Sequence, residues 1–344
     1  MDKIYLNEEV ISKHYSYCLG NDKNKKKCCY FDLENEKKTY LTSNPLIYRL
    51  LANIQDNFED IIKGKPQHLV LIYNKFLDLF NEITQELSAE EKEETRTKIN
   101  EVLKNVFIGS YERFSSRLPG KSNLWGAYNF CANLNTNICP YCNSQFIITY
   151  IGKNGKTRPT IDHFFSKERF PLFAVSIFNL IPSCKICNSD FKGTEEMNLN
   201  EHIHPYIESF NELAIFKRKL SENSGIIDYY SVLVGKGEDF DIIVEDRMGS
   251  TVEQKNKVKN TKKVFNTEEI YHYHKKYVQE LIIKSIIYTE AYKQNLLYSY
   301  ERLFANEEQI IQLLMPKDIN NHILSKITID ILEEEFLKKK NIFE

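Results

Sequence analysis

The chain has 344 residues, of which 42% are hydrophobic and 27% are charged, and its formal net charge at pH 7 is −2. This composition excludes a disordered chain, and the length suffices for two or three subdomains with cores of their own. A net charge so close to zero argues against nucleic-acid binding by the whole surface, so any such binding is expected to be local or assisted by a partner.

The sequence offers no sign of a membrane or of secretion. It has no run of about 18 apolar residues, and its first residues lack the apolar core of a signal peptide. We therefore expect a cytoplasmic protein. Thiols stay reduced in that compartment, so the 8 cysteines are expected to be metal ligands or free thiols rather than disulfides.

Residues 1–135 are predicted to be a helical N-terminal region. Pro66 suits the first position of a helix, and Ser88 with Glu91 forms a capping box before another. Apolar residues at helical spacing follow both signals: Leu69, Ile72, Tyr73, Phe76, Phe80 and Ile83, then Ile99, Val102, Leu103 and Val106. Residues 122–134, which contain the only tryptophan, Trp125, are predicted to form a further helix that packs on the hairpin described below.

A histidine and three cysteines lie near the beginning of the chain. His14, Cys18, Cys28 and Cys29 could in principle hold a zinc ion, because both residue types are zinc ligands. Their irregular spacing across residues 21–27 instead favours buried side chains without a metal.

The most specific motif is a pair of C-x-x-C sequences, Cys139-Pro-Tyr-Cys142 and Cys184-Lys-Ile-Cys187. Four thiolates in two such pairs are the usual ligands of a tetrahedral structural zinc, whereas packing of buried thiols explains the paired spacing poorly. The 41 residues between the pairs exceed the roughly 15 to 20 of an ordinary zinc ribbon. A segment with a fold of its own is therefore expected between them.

That intervening segment predicts a β-hairpin with two polar residues at its exit. β-Branched and aromatic residues at 145–151 and 156–161 flank the turn residues 152–155, and Asp162 and His163 follow. A carboxylate suits a hard divalent cation and an imidazole suits a general base, which together are what phosphodiester hydrolysis requires. The alternative for His163 is a hydrogen-bonded structural histidine.

Two residues after the second cysteine pair could extend this site. The amide oxygen of Asn188 suits Mg²⁺, although a helix cap is its alternative role. Lys192 lies four residues further, so on a helix it would share a face with Asn188 and could contact a backbone phosphate, unless it is only a solvated lysine.

The order C-x-x-C, Asp162-His163, Asn179-Leu-Ile-Pro182 and C-x-x-C-Asn188 resembles the HNH endonucleases. The resemblance covers roughly residues 139–193 and implies a β-hairpin followed by a helix around one divalent ion, Mg²⁺ or Mn²⁺. It also implies that His163 is the general base, that Asp162 and Asn188 hold the ion, and that Asn179 braces the loop that orients His163. Histidine is usual in the family where this chain has Asn188, so the metal preference stays open.

Within that superfamily the chain looks most similar to zinc-knuckle proteins that end in C-x-x-C-N, such as the HNH subunit of Septu-type anti-phage systems. This narrower resemblance implies a role in bacterial anti-phage defence and a partner ATPase. DNA is the expected substrate, because residues 139–193 carry seven Lys or Arg side chains against three acidic ones. The alternative is a zinc-knuckle module that binds nucleic acid or protein without cutting it, for which a base beside a carboxylate has no use.

The rest of the chain predicts a small sheet and long helices. Residues 226–234 and 239–246 are predicted strands around the turn 235–237, and Asn266 is predicted to cap a long helix bearing Ile270, Tyr273, Tyr277, Leu281 and Ile282. His202 and His204 could place two imidazoles at the active site or on a second metal, although such a pair more often lies at the surface or in packing. The basic run 255–263 could touch DNA, or it could be a solvated helix face.

Together these features predict an α+β protein that is mainly helical around a ββα-metal core with a four-cysteine zinc knuckle. Three regions are predicted: a helical N-terminal region over residues 1–135, the nuclease core over residues 136–205, and a C-terminal region over residues 206–344 with the small sheet and the long helices.

Overall fold

The computed structural model describes residues 3–21, 27–118, 124–221 and 227–343. The protein is α+β and mostly helical, as predicted. Its N-terminal helices are α1 (Glu8–Leu19), α2 (Cys29–Ser43), α3 (Pro45–Asp56), α4 (Phe58–Lys63), α5 (Pro66–Ile83), α6 (Ala89–Leu103), α7 (Gly109–Ser116) and α8 (Ala127–Ala132), with a π-helical turn at Lys104–Ile108 between α6 and α7.

Local sequence signals account for the N-terminal helices. Pro66 is the first residue of α5, and the capping box of Ser88 and Glu91 starts α6 with both hydrogen bonds present. Most residues of the predicted stripes are buried, which confirms them as core faces: Leu69, Ile72, Phe76, Phe80, Ile99, Val102, Leu103 and Val106. Trp125 precedes α8, and its indole hydrogen-bonds to His14 of α1 rather than forming part of the helix predicted over 122–134, whose first two residues lie outside the described residues.

The central segment forms two separate strand pairs. Strands β1 (Tyr150–Gly152) and β2 (Gly155–Thr157) make a short exposed hairpin, whereas β3 (Thr160–His163) pairs antiparallel with β4 (Leu180–Ser183) and is mostly buried. The sequence predicted one hairpin over residues 145–161 with Asp162 and His163 at its exit. In the structure the hairpin ends at Thr157, and Asp162 and His163 belong to β3. Pro159 cannot donate to a strand ladder and separates β2 from β3, so the chain leaves the first hairpin there. A helix, Ile186–Lys192, follows β4 and has π-type geometry.

The C-terminal region contains the predicted small sheet, with one strand misassigned. Its strands are β5 (Ala214–Leu220) and β6 (Phe240–Asp246), and every second residue at the start of β5 is buried. Of the predicted strand 226–234, Ile226 lies outside the described residues and Tyr229–Leu233 forms the helix α10. The Asp228 side chain accepts a hydrogen bond from the Ser231 backbone at 3.1 Å, which caps this helix and outweighs the β-branched composition.

The helix predicted from Asn266 is broken. It forms α12 (Thr267–His272) and α13 (Lys275–Ile287), Asn266 has a positive φ of 44° without a capping bond, and Tyr273 at the break is exposed rather than part of a core stripe. The other helices of this region are α9 (Phe210–Leu213), α11 (Val252–Val264), α14 (Glu290–Ser299), α15 (Glu307–Gln312) and α16 (Ser325–Phe343).

Two hydrophobic cores organise the described residues. The larger joins the N-terminal helices to the four cysteines, β3 and β4, and the smaller packs β5 and β6 against α13 and α16. The segment 139–192 therefore lies on the N-terminal helices rather than apart from them. Within the ranges that the structure describes, no helix combines the length and the apolar character needed to cross a bilayer.

Candidate functional site

The four cysteines of the C-x-x-C pairs converge. Their Sγ atoms lie within 4.8 Å of one another and all four residues are buried, with 3.9 Å between the sulfurs of Cys142 and Cys184. Zn–S bonds of about 2.3 Å in a tetrahedron place the sulfurs about 3.8 Å apart, so the cluster fits such an ion. Hydrogen bonding among the sulfurs lowers the pKa of Cys142 and Cys184, whereas burial raises the pKa of Cys139 and hydrogen bonding to the other cysteines raises that of Cys187. The fit to a metal therefore rests on the convergence of the four sulfurs. These residues can hold a metal ion such as zinc.

The first cysteine pair also anchors the C-terminal region of the protein. The Tyr271 hydroxyl donates to the Cys142 carbonyl at 2.8 Å, and the Leu324 N–H donates to the Asn143 carbonyl at 2.7 Å. The Asn143 side chain accepts from the Lys326 N–H at 3.0 Å and from the Ser325 hydroxyl at 3.1 Å. The turn that carries Cys142 lies in the larger core and is hydrogen-bonded to residues of the smaller one. Asn143 thus links the two cores, which the spacing of the cysteines does not predict.

Asp162 is held by two donors in the protein interior. Its carboxylate accepts from the Lys192 ammonium at 2.7 and 2.9 Å, and Oδ2 also accepts from the Tyr141 hydroxyl at 2.7 Å. Burial raises the pKa of Tyr141 well above its usual value, so the phenol stays protonated and donates. Because Oδ2 has two donors and Oδ1 has one, a lone pair of Oδ1 is left for a further partner such as a cation.

Lys192 is buried, whereas the sequence predicted a side chain that reaches a phosphate or the solvent. Only 3% of the residue is exposed, and its ammonium also donates to the backbone carbonyl of His163. The predicted contact with a backbone phosphate is thus replaced by a buried ion pair that ties the helix Ile186–Lys192 to β3. The reason is tertiary, since β3 brings the Asp162 carboxylate against this helix and the ion pair compensates the burial of the ammonium.

His163 is the last residue of β3 and is neutral at pH 7. Its Nε2 lies 2.9 Å from the Ala174 carbonyl oxygen, which can only accept, so Nε2 carries the proton. Burial is the largest cause that lowers the pKa of His163 to about 4, while the nearby Asp162 opposes it. Among the described residues none hydrogen-bonds to Nδ1, so the Nδ1 lone pair can accept a proton. The ring packs edge-on against Tyr111, with 4.3 Å between centroids.

Asn179 spans the loop that follows β3. Its Oδ1 accepts from the Phe165 N–H at 2.7 Å, and its Nδ2 donates to the carbonyls of Phe165 and Phe173, each at 3.0 Å. The residue is fully buried. These three bonds fix the loop between His163 and Ala174, whose carbonyl in turn orients the His163 ring.

Asn188 joins Asp162 and His163 at one cleft. The cleft measures about 460 Å³, and its lining includes Asp162, His163, Asn188 and Lys192 together with Lys167 and Arg169. The Asn188 N–H donates to the Cys184 carbonyl at 3.1 Å, so the second cysteine pair positions this residue directly. Lys167 and Arg169 add positive charge to the lining of the cleft, although Arg169 is paired with Glu196 and the Lys167 ammonium lies 4.0 Å from Glu168. Neither residue is distinguished from the other basic residues by its position in the sequence.

The other histidines and cysteines do not form a second metal centre among the residues that the structure describes. His14 hydrogen-bonds to the Val175 carbonyl at 2.8 Å and to Trp125 at 3.2 Å, and the Cys28 sulfur accepts from the Phe31 N–H at the start of α2. His204 is buried with its ring 4.1 Å from Phe164, which agrees with a packing role. His202 accepts from the Asn198 N–H and lies outside the lining of the cleft.

The basic run 255–263 forms most of α11, with mixed roles. Lys257 is buried and pairs with Glu208 at 3.0 Å and Glu253 at 3.1 Å, and Lys262 pairs with Glu268 at 2.9 Å. These two lysines are therefore already neutralised within the protein.

Part of the chain is similar in sequence to a phage protein. The chain is 34% identical over 97 residues to Protein ea31 of Escherichia phage lambda, and the match spans 27% of this chain and 29% of the phage protein. No family model matches the chain. No solved structure matches it either.

Proposed function

We propose that this protein is a metal-dependent endonuclease of the HNH type that hydrolyses phosphodiester bonds in DNA. The observation that carries the proposal is the meeting of Asp162, His163 and Asn188 at one cleft, on a β-strand pair followed by a helix. A base beside a carboxylate, both fixed by buried hydrogen bonds, is what a hydrolytic site needs.

The residues have distinct roles in this reaction. His163 Nδ1 accepts the proton of the attacking water, and the Nε2–H···O bond to Ala174 keeps the ring in the required tautomer. Asn179 holds the loop that carries both partners of that bond. Lys167, which lines the cleft, is placed to attract the phosphate. Asp162 and Asn188 would hold Mg²⁺ or Mn²⁺, which would supply positive charge to the phosphate and its leaving oxygen.

Zinc has a separate, structural role. A zinc ion in the buried cluster of four cysteines would link the segment before β1 to the helix after β4, and so hold Asn188 opposite His163. The cluster keeps no open position for substrate, because all four ligands come from the protein.

One observation favours the alternative, a zinc-knuckle module that binds nucleic acid or protein without cutting. The Asp162 carboxylate is already neutralised by Lys192, and a divalent ion bound to Asp162 would be repelled by the positive charge of that ammonium. The nuclease therefore requires either weak metal binding or a shift of Lys192.

Incubation of the purified protein with supercoiled plasmid separates the two functions. The nuclease predicts nicking that needs added Mg²⁺ or Mn²⁺ and falls by roughly 10²- to 10⁴-fold in His163→Ala. His272→Ala, which changes an exposed histidine of α12, should keep full activity. Plasmid and single-stranded DNA both left intact by wild-type protein under all metal conditions, or nicking by His163→Ala at the wild-type rate, would exclude the proposed mechanism.

The C-x-x-C-Asn188 end of the motif resembles the HNH subunit of Septu-type anti-phage systems. On that resemblance we propose a role in bacterial anti-phage defence with a partner ATPase. Such a role predicts that cells producing the protein with its genomic neighbours form fewer phage plaques, and that His163→Ala removes the protection. Equal plaque numbers for both versions would exclude a defence role that depends on cleavage.

A further inference from the structure

A second cavity lies next to the candidate active cleft. It measures about 650 Å³ and is bounded by one face of α5, by the loop 197–200 and by α11. Its floor is aromatic: the Tyr73 ring lies 4.9 Å from Phe170 and 5.9 Å from Phe173, measured between centroids. The rim carries the amide side chains of Gln67, Asn74 and Asn200. The Asn198 amide also lies there, but it is bonded to Glu201 and to the N–H groups of Asn200 and Glu201.

The loop after His163 forms the wall between the cavity and the cleft. Phe165 and Phe170 line the cavity, Ser166 and Lys167 line the cleft, and Arg169 lines both. A ligand that reaches from one to the other therefore crosses Arg169, whose guanidinium lies 5.5 Å from the centre of the Phe170 ring. The loop itself is held rigidly by Asn179.

The charges of the cavity select a neutral ligand. Lys257 is paired with Glu208 and Glu253, and Arg169 is paired with Glu196, so neither cation of the lining is available for a phosphate. A flat, uncharged, aromatic group with hydrogen-bonding edges matches the aromatic floor and the amide rim. Lys167 in the adjacent cleft is the group that suits a phosphate.

Resting on the proposed nuclease function, we propose that this cavity binds an unpaired nucleobase of the strand whose phosphate lies in the cleft. A base inside a duplex cannot reach a recess of this kind without leaving its stack. The preferred substrate is then a single-stranded or locally unpaired nucleic acid, with the Tyr73 ring as the stacking surface, Phe170 packed edge-on against it at 72° and Asn74 at the base edge.

The test uses oligonucleotides that carry one 2-aminopurine, whose fluorescence falls on stacking, in a His163→Ala background that prevents cleavage. We expect quenching on binding of the single strand, and an affinity loss of roughly 5- to 100-fold in Tyr73→Leu and Phe170→Leu. Tyr298→Leu on α14, where the side chain is 89% exposed and remote from the cavity lining, is the matched control and should bind as the parent does.

A second variant guards against misfolding. Asn74 is exposed on α5, so Asn74→Trp fills the cavity without removing core contacts and should weaken binding to the same degree. Binding without quenching, or unchanged affinity in both Tyr73→Leu and Asn74→Trp, would overturn the proposal, as would equal or tighter binding of a fully paired duplex. Displacement of the oligonucleotide by an apolar peptide but not by free nucleosides would assign the cavity to a protein segment instead.

The same oligonucleotides made as DNA and as RNA decide which sugar is accepted. Failure of this proposal is distinguishable from failure of the nuclease. Metal-dependent nicking that is intact in Tyr73→Leu and Asn74→Trp removes the base pocket alone. Quenching that depends on Tyr73 in a protein that never cuts removes the nuclease alone.

Discussion

Two regions of this protein contain the same residue types and use them differently. The N-terminal region has His14, Cys18, Cys28 and Cys29, and the central region has His163 with four cysteines. Both histidines are buried, and their Nε2 atoms bond to consecutive carbonyls of one loop, Val175 for His14 and Ala174 for His163. Burial lowers the pKa of each to about 4.

What differs is the second nitrogen of each ring and the surroundings of the sulfurs. Nδ1 of His14 accepts from the Trp125 indole, so both nitrogens of that ring are used in packing, whereas His163 lines an open cleft. The Sγ atoms of the four central cysteines lie within 4.8 Å of one another, whereas the N-terminal cysteines form no such group among the described residues. Residue type and burial therefore do not distinguish His163 from His14. The difference is an unbonded ring nitrogen in a residue that lines an open cleft, which His14 lacks.

The largest expected effect separates the two sets of cysteines. Cys184→Ser should remove zinc and unfold the core, since the cluster links the two ends of the segment and the Cys142 turn anchors α16 through Asn143. Cys28→Ser should be nearly neutral, because a serine oxygen can replace the sulfur as the cap of α2. Elemental analysis and circular dichroism measure both. Zinc-free wild-type protein that is fully folded would contradict the structural role.

Exchanging the two histidines for alanine should give opposite results. His163→Ala should lower cleavage by roughly 10²- to 10⁴-fold, with DNA affinity near that of wild type, because the base is lost and the phosphate contacts stay. His14→Ala should instead lower stability by about 2 to 4 kcal/mol, since it leaves a cavity and an unpaired indole. Nicking rates, DNA binding and urea unfolding measure the difference. Loss of DNA binding in His163→Ala would count against its assignment as the base.

Two asparagines, Asn188 and Asn7, separate a proposed metal ligand from a helix cap. Asn188→Ala should raise the Mg²⁺ concentration needed for cleavage by roughly 10- to 100-fold, and Asn188→His should shift the preference toward Mn²⁺, Ni²⁺ or Co²⁺. Asn7, which caps α1 through the Val10 N–H, is the matched control, and Asn7→Ala should change only stability, by ~1 kcal/mol. Cleavage measured against metal concentration decides; an unshifted curve for Asn188→Ala would remove this residue from the site.

The smallest expected effect is the pH dependence that the two histidines share. Because each folded pKa is below the ordinary 6.5, the unfolded chain binds more protons below pH 6.5, and stability falls as the pH drops toward 4. Each histidine should contribute a loss of about 1 kcal/mol between pH 6.5 and 5.5. The difference in unfolding free energy between wild type and His14→Gln, measured at both values, isolates the share of His14. A difference independent of pH would contradict a buried neutral His14.

The sequence by itself determined the features that depend on short spacing. The C-x-x-C pairs, the capping box at Ser88 and the apolar stripes of α5 and α6 are all present as expected, because a turn or a cap is decided by residues a few positions apart. The meeting of Asp162, His163 and Asn188 at one cleft also agrees with the motif order.

Only the tertiary structure decided what each of these residues faces. The pairing of β3 with β4, the helix at Tyr229–Leu233, the buried bond between Lys192 and Asp162 and the hold of Asn143 on α16 all depend on segments far apart in the chain. Lys192 shows the reason. The local sequence predicts a solvated cation, whereas in the structure the ammonium is buried, and Asp162 of β3, 30 positions earlier in the chain, compensates the cost of that burial. Burial and its compensation are properties of the packed chain, and no local pattern specifies them.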